Sequence, residues 1–197
     1  MWQSFVLCFV PLFVAMDPLG LVPVFVSITA GNDAAARRKL VMQAIPAAGV
    51  IGLLFFALGS PLLKMLRVEV ADMQIAGGAL LFVYAMMDLF IAGKPAVKED
   101  ESVGIVPLAT PLIVGPAVLT LGLVLVQQHG LAMASFALVL NLLLLGVSLL
   151  GASRMMAYVG LQSMRAASKV VDLLLAAIGV AFVRQGIEAF MKQGLGQ

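Results

Sequence analysis

The chain reads DPLGLVP at residues 17–23 and TPLIVGP at residues 110–116, and these two stretches decide the fold. Each sets a polar residue, two prolines five positions apart and a glycine in an otherwise apolar run. Proline lacks the backbone donor that a helix uses and clashes with the preceding turn, so neither stretch favours a continuous helix. The second stretch follows the first by 93 positions (110 − 17), close to half of the 197-residue chain.

The composition around these stretches indicates the class of protein. Hydrophobic residues make up 62% of the chain and charged residues 11%, whereas soluble domains have about 45–50% and about 25%. The mean hydropathy is +1.11. A globule of this size leaves too much of its surface in water to hide so many apolar side chains. This excludes a soluble enzyme, a disordered chain and a nucleic-acid-binding protein, and predicts an all-α integral membrane protein.

Six apolar segments are long enough to cross about 30 Å of hydrocarbon as helices. They are residues 5–29, 40–63, 72–92, 104–126, 131–153 and 170–190. The clearest evidence for membrane spans is at residues 102–153, which contain no Asp, Glu, Lys or Arg and have room for two spans. The runs are continuous, whereas strands of a transmembrane barrel alternate apolar and polar residues. No basic segment precedes the first run and no small-residue cleavage site follows it, so we expect a retained helix.

The two proline stretches fall in the first and the fourth span. Three spans per half is an odd number, so the second half enters the membrane from the opposite side, as in an inverted-topology repeat. The sequence therefore predicts a single membrane domain with a 3+3 inverted repeat, residues 1–98 and 99–197, in which helices 1 and 4 are discontinuous.

Two positions for the restarts of these discontinuous helices remain open. Half-helices could begin at Pro18 and Pro111, because Asp17 and Thr110 are good caps and proline is favoured at the first helical position. Alternatively, each helix restarts at the second proline of its stretch, Pro23 or Pro116, and the glycine-bearing segment is unwound. Either arrangement leaves backbone polar groups at mid-membrane, where they must line a cavity or contact protein.

The basic residues predict the orientation. Eight lie in the loops after spans one, three and five: Arg37, Arg38, Lys39, Lys94, Lys98, Arg154, Arg165 and Lys169. Three lie on the opposite side: Lys64, Arg67 and Lys192. Lysine and arginine are retained in the cytoplasm, so we expect both termini on the periplasmic side of a multi-pass inner-membrane protein.

Three stretches resemble the MarC family of small inner-membrane proteins. They are residues 13–25, VPLATPLIVGP at 106–116 and IAGGALLF at 75–82, and the resemblance runs over essentially the whole chain. Related archaeal members are regarded as transporters of small neutral amino acids such as alanine, glycine and serine. The resemblance implies six helices in an inverted repeat, with discontinuous helices 1 and 4 and a substrate site between them.

The substrate-binding residues that this resemblance implies are those of the two proline stretches: Asp17, Pro18, Gly20, Thr110, Pro111, Gly115 and Pro116. The chain departs from the family pattern at Leu21, where many members carry Asn, and at Asp172, where a small residue is expected. We interpret Asp172 first as a charge at the start of span six or a local partner of Lys169.

Ionisable residues inside a membrane span are candidates for function. Asp17, near the centre of span one, could hold an ammonium group or a coupling proton or cation, or simply cap a half-helix. A substrate carboxylate would then favour the free N–H groups at Thr110–Pro111. Asp88 and Asn141 are further candidates for coupling or for lining the site, although a contact between helices is the commoner role of such an Asn.

These observations predict a secondary transporter for small neutral solutes, such as amino acids, that works by alternating access on a proton or sodium gradient. The alternative is a channel or a structural membrane protein without transport. An intramembrane protease or other enzyme is not expected, because the sequence has no catalytic motif and its only histidine is His129 in a short loop. We expect no cofactor, no metal site and no nucleic-acid partner; the apolar surface is compatible with a homo-oligomer.

Overall fold

The computed structural model describes residues 2–90 and 113–194, and these residues contain eight α-helices. The helices are α1 (Trp2–Met16), α2 (Pro18–Ile28), α3 (Ala34–Met65), α4 (Val70–Phe90), α5 (Pro116–His129), α6 (Leu131–Leu150), α7 (Ala152–Val159) and α8 (Leu161–Gly194). Within the described residues, five stretches are long and apolar enough to cross a membrane: Trp2–Ile28, Ala34–Leu63, Ala71–Phe90, Leu131–Leu150 and Leu161–Lys192. The predicted all-helical membrane architecture is confirmed at this level.

The helix bounds differ most from the predicted spans at α3 and α8. These helices have 32 and 34 residues, or about 48 and about 51 Å at 1.5 Å per residue. The last predicted span begins at residue 170, whereas α8 begins at Leu161, just after Gly160 with its φ of 79°. Polar residues lower the hydropathy of 161–169 without opposing helix formation, because Gln and Arg are good helix formers.

The fourth predicted span, 104–126, lies only partly within the described residues. Helix α5 has 14 residues and a length of about 21 Å, less than the hydrocarbon thickness of about 30 Å. Residues 104–112 lie outside the described residues. The boundary between the predicted repeats, at 98/99, lies outside them as well.

Helices α4 and α8 form the closest helix pair, and they run antiparallel. A Cβ on Gly78 would meet the backbone of Gly179 and Val183, and a Cβ on Gly179 would meet the backbone of Gly78 and Phe82. Small residues allow helix backbones this close in membranes. A Cβ on Gly186 of α8 would likewise meet the backbone of Ala71 and Ile75, so direct backbone-to-backbone packing extends along the pair.

A second group of helices packs beside this pair. Helices α3 and α6 are antiparallel, since Gly49 faces Leu142 and Gly146 faces Ile45. Helix α1 lies along α6, where Asn141 Nδ2 donates to the carbonyl oxygen of Phe9 at 3.1 Å. Helix α5 contacts α1, α3, α4 and α6 and contributes a continuous buried segment, 121–126. Large apolar side chains such as Leu143 remain exposed on the outside of the helices, as lipid contact requires.

The loops after the first and fifth spans lie at the same end of the molecule. Arg37 donates through Nε to the carbonyl oxygen of Thr29 at 3.1 Å and through a terminal nitrogen to Ser153 Oγ at 2.9 Å. Ser153 belongs to α7, a short separate helix whose Tyr158 is 91% exposed. The contact joins two basic loops that the sequence assigns to one membrane face.

Candidate functional site

The break in the first span is a single residue, Asp17, between α1 and α2. Its φ and ψ are 41° and 67°, in the left-handed region, which aspartate tolerates better than most residues. Asp17 N donates to the carbonyl oxygens of Phe13 and Val14 at 3.2 Å, and Leu21 N donates to Asp17 O at 3.0 Å. Pro18 supplies the first residue of α2, where its missing N–H is not needed. The break is therefore a kink with continuous hydrogen bonding rather than a long unwound segment.

The Asp17 carboxylate is buried at this kink, with 7% of the residue exposed. Its Oδ1 accepts from Gly20 N at 3.0 Å, so it caps α2 as predicted. Its Oδ2 accepts from Ser168 Oγ on α8 at 2.6 Å. A Cβ at residue 20 would collide with the Asp17 carboxylate and with Ser168 Oγ. Glycine at position 20 is thus what allows the carboxylate and α8 to meet.

A small cavity opens beside Asp17, with a volume of about 30 Å³, roughly the space of two ordered waters. Both halves of the chain line it. The first half contributes residues around the kink together with Tyr84 and Asp88 of α4, and the second contributes Gly115 at the start of α5 and Asp172 of α8. Three carboxylates from three separate segments therefore face one space.

A lysine stands beside these carboxylates. Lys169 Nζ donates to the carbonyl oxygens of Asp88 and Leu89 in the last turn of α4, the second at 2.9 Å. The same nitrogen lies 3.9 Å from Asp172 Oδ2. A cation at a helix C-terminus is stabilised by the helix dipole. The predicted local pair of Lys169 and Asp172 is confirmed, and its Asp172 lines the cavity.

In the second proline stretch, α5 begins at Pro116, with Gly115 as its N-cap in extended conformation. The first span instead restarts at Pro18, so each alternative for the restart applies to one span. Gly115 lines the cavity, and Pro116 is exposed. Thr110 and Pro111 lie outside the described residues.

Asn141 lies away from the cavity, on α6 against α1. It is 1% exposed, and its Nδ2 donates to the carbonyl oxygens of Phe9 and Ala137 at 3.1 and 2.9 Å. Its Oδ1 has no hydrogen-bond partner among the described residues. This is the helix-to-helix role that the sequence favours for Asn141.

Three residues of the site were missed or underestimated from sequence. Ser168 and Tyr84 carry no motif, and the sequence places Asp172 at the start of a span as a charge or a local partner of Lys169, whereas it is 3% exposed and lines the cavity. One signal was available: Ser168 and Asp172 are four residues apart, so they share a helix face if the helix begins before them. The late predicted start of span six concealed that face.

The helices, the apolar exterior and the buried polar kink together define a multi-pass integral membrane protein. The model of the MarC family of integral membrane proteins matches residues 2–191, and the chain belongs to this family. It is 30% identical to the UPF0056 inner membrane protein YhgN of Escherichia coli K12, over 92% of this chain and 94% of YhgN. It is 31% identical to a UPF0056 membrane protein of Methanocaldococcus jannaschii, over 91% of this chain and 84% of that protein. No solved structure matches the chain.

Proposed function

We propose that this protein is a secondary transporter that moves small neutral amino acids, such as alanine, glycine or serine, across the inner membrane by alternating access. A proton or sodium gradient drives it, and it catalyses no covalent chemistry. The observation that carries the proposal is the buried Asp17 kink, which faces a cavity shared by both halves of the chain. Transporters with repeated halves bind their substrates at such discontinuous helices, near the interface between the repeats.

The groups around the cavity suit a zwitterion. Asp17 offers a buried carboxylate to an ammonium group. The first N–H groups of α5 have no partner within their own helix, and two residues of this turn, Ala117 and Val118, line the cavity. Such a helix start attracts a carboxylate, and Thr110 and Pro111 complete this end in the proposal. Asp88 and Asp172 are then the candidates for the coupling cation.

The cavity of about 30 Å³ is smaller than an amino acid, so the proposal requires a second conformation in which it widens. A substrate shifts the population toward that conformation only if it binds there more tightly. Uptake must therefore depend on a conformational change that involves the walls of the cavity, to which α2, α4, α5 and α8 contribute.

Helix packing supports the 3+3 inverted repeat that belongs to this proposal. Gly49 and Leu142 face each other in the second and fifth spans, and their separation of 93 positions (142 − 49) equals that of the proline stretches. A two-fold relation between the halves would produce such a self-matching contact.

The orientation in the proposal has both termini on the periplasmic side. The contact between Arg37 and Ser153 supports it, because it gathers the basic loops at one end. To test it, single cysteines replace Lys39 or His129 in a Cys8→Ser background, and intact cells are treated with a membrane-impermeant maleimide. Labelling at 129 and protection at 39 is the expected result; the reverse pattern would invert the topology.

The transport proposal is tested by uptake of labelled glycine and alanine into proteoliposomes, with and without proton or sodium gradients. Asp17→Asn and Gly115→Leu should abolish gradient-dependent uptake. The matched control is Asp33→Asn, because Asp33 also caps a helix, accepting from Ala36 N at 2.7 Å, but is exposed outside the spans. If the concentration of labelled solute inside the vesicles never exceeds that outside, even with an imposed gradient, the protein is a channel. No uptake of either solute by folded protein would exclude the amino-acid assignment.

A further inference from the structure

One turn of α8 connects the kink of the first span to the end of α4. Ser168 donates to Asp17 Oδ2, and the next residue, Lys169, donates to the last carbonyl oxygens of α4. Ser168 is 9% exposed and stands 151 positions from Asp17 in the chain. A hydroxyl at 2.6 Å from a carboxylate oxygen has the short distance of a charge-assisted hydrogen bond.

We propose that Ser168 is the positioning residue of the Asp17 carboxylate, an inference that rests on the proposed transport function. Gly20 N holds Oδ1 and Ser168 Oγ holds Oδ2, which fixes the carboxylate plane. A carboxylate has about four acceptor positions on its two oxygens. An ammonium group in the cavity would meet this carboxylate in the orientation that the two donors set, so the hydroxyl sets the affinity of the site without touching the substrate.

The packing around Ser168 explains why a hydroxyl is needed there. Gly20 leaves space for both the carboxylate and the serine oxygen, and any Cβ on residue 20 would displace one of them. The other charged or titratable groups that face the same cavity are Tyr84, Asp88 and Asp172, with Lys169 beside them.

The first test needs no transport. Hydrogen exchange of the Gly20 amide is measured in purified protein, because this amide is protected by Asp17 Oδ1. Ser168→Ala should speed its exchange about tenfold, the effect of losing one hydrogen bond to a charged group. Ser168→Thr keeps the hydroxyl and should exchange as the wild type does. Unchanged exchange at Gly20 in the alanine variant would overturn the proposal.

The second test separates positioning from folding. Ser168→Val has the shape of the threonine variant but no hydroxyl, so the two form a matched pair. The valine variant should raise the KM for uptake about tenfold with kcat nearly unchanged, the pattern of lost binding, and threonine should restore it. A loss of kcat at constant KM would overturn the proposal.

Ser148→Ala is the control for loss of a serine in a span, because its hydroxyl donates to its own helix, at Leu144 O, and lies away from Asp17. It should change neither KM nor the exchange of Gly20. If the wild type transports neither amino acid, the transport proposal fails, while the exchange of Gly20 still decides whether Ser168 positions Asp17.

Discussion

The crossing of α4 and α8 allows a quantitative test of the fold, through Gly78→Ala. The added Cβ would meet the carbonyl oxygen of Gly179 and the backbone nitrogen of Val183. Backbone atoms cannot rotate away as side chains do, so the two helices must separate. Overpacking costs about 1–3 kcal/mol, and the backbone contact places this substitution near the upper end. Alanine recovers about 1 kcal/mol of helix propensity, which leaves a net loss of about 1–2 kcal/mol.

Thermal unfolding in detergent measures this loss. In a chain of this length each kcal/mol shifts Tm by about 2–4 °C, so a net loss of about 1–2 kcal/mol should lower the Tm of Gly78→Ala by about 2–8 °C. The matched control is Gly49→Ala in α3, where the nearest atom to the new Cβ is Leu142 Cδ1 at an ordinary 3.6 Å. Its Tm should be unchanged or slightly higher, since it gains helix propensity without a clash.

The double variant Gly78→Ala/Gly179→Ala adds a further check. Once the first methyl group has separated the helices, the second clashes less. The loss of stability in the double variant should therefore be smaller than the sum of the losses in the two single variants. An equal Tm for Gly78→Ala and Gly49→Ala would refute the close crossing. Strict additivity in the double variant would show that the two glycines do not face each other.

Three further substitutions test other contacts. Lys169→Met should destabilise the fold by about 1–2 kcal/mol in thermal unfolding, because the end of α4 loses its donor and Asp172 loses its cation; an unchanged Tm would contradict this. Asn141→Leu should change the free energy of unfolding by less than about 1 kcal/mol, since hydrogen bonds between membrane helices average about 0.6 kcal/mol. A loss above about 2 kcal/mol would show that this amide contributes more than an average hydrogen bond between membrane helices. Arg37→Ala should speed limited proteolysis of residues 29–33 with Tm nearly unchanged, because its exposed contact with Ser153 holds that loop locally; wild-type cleavage rates would contradict this.

Local chemistry explains why part of the site could be predicted. Asp17 followed by Pro18 and Gly20 specifies a cap, a first helical residue and a position without a side chain, and all three act within four residues of one another. Gly115 could be placed for the same reason, as the residue before the proline that starts α5. The residue at which each broken helix restarts could not be predicted, because either proline of each stretch satisfies the same local rules.

The sequence by itself determined that the chain is a helical membrane protein, where five of its spans run and that the first of them is broken within residues 17–23. Hydropathy and proline act over one turn or one span, and a sequence displays them directly. Only the tertiary structure decided that Asp88 and Asp172 share a cavity with Asp17, that Ser168 bonds to its carboxylate, and that Asn141 lies elsewhere. Those outcomes depend on how α4 and α8 cross at Gly78 and Gly179, and that crossing joins residues about a hundred positions apart (179 − 78), beyond the reach of any local pattern.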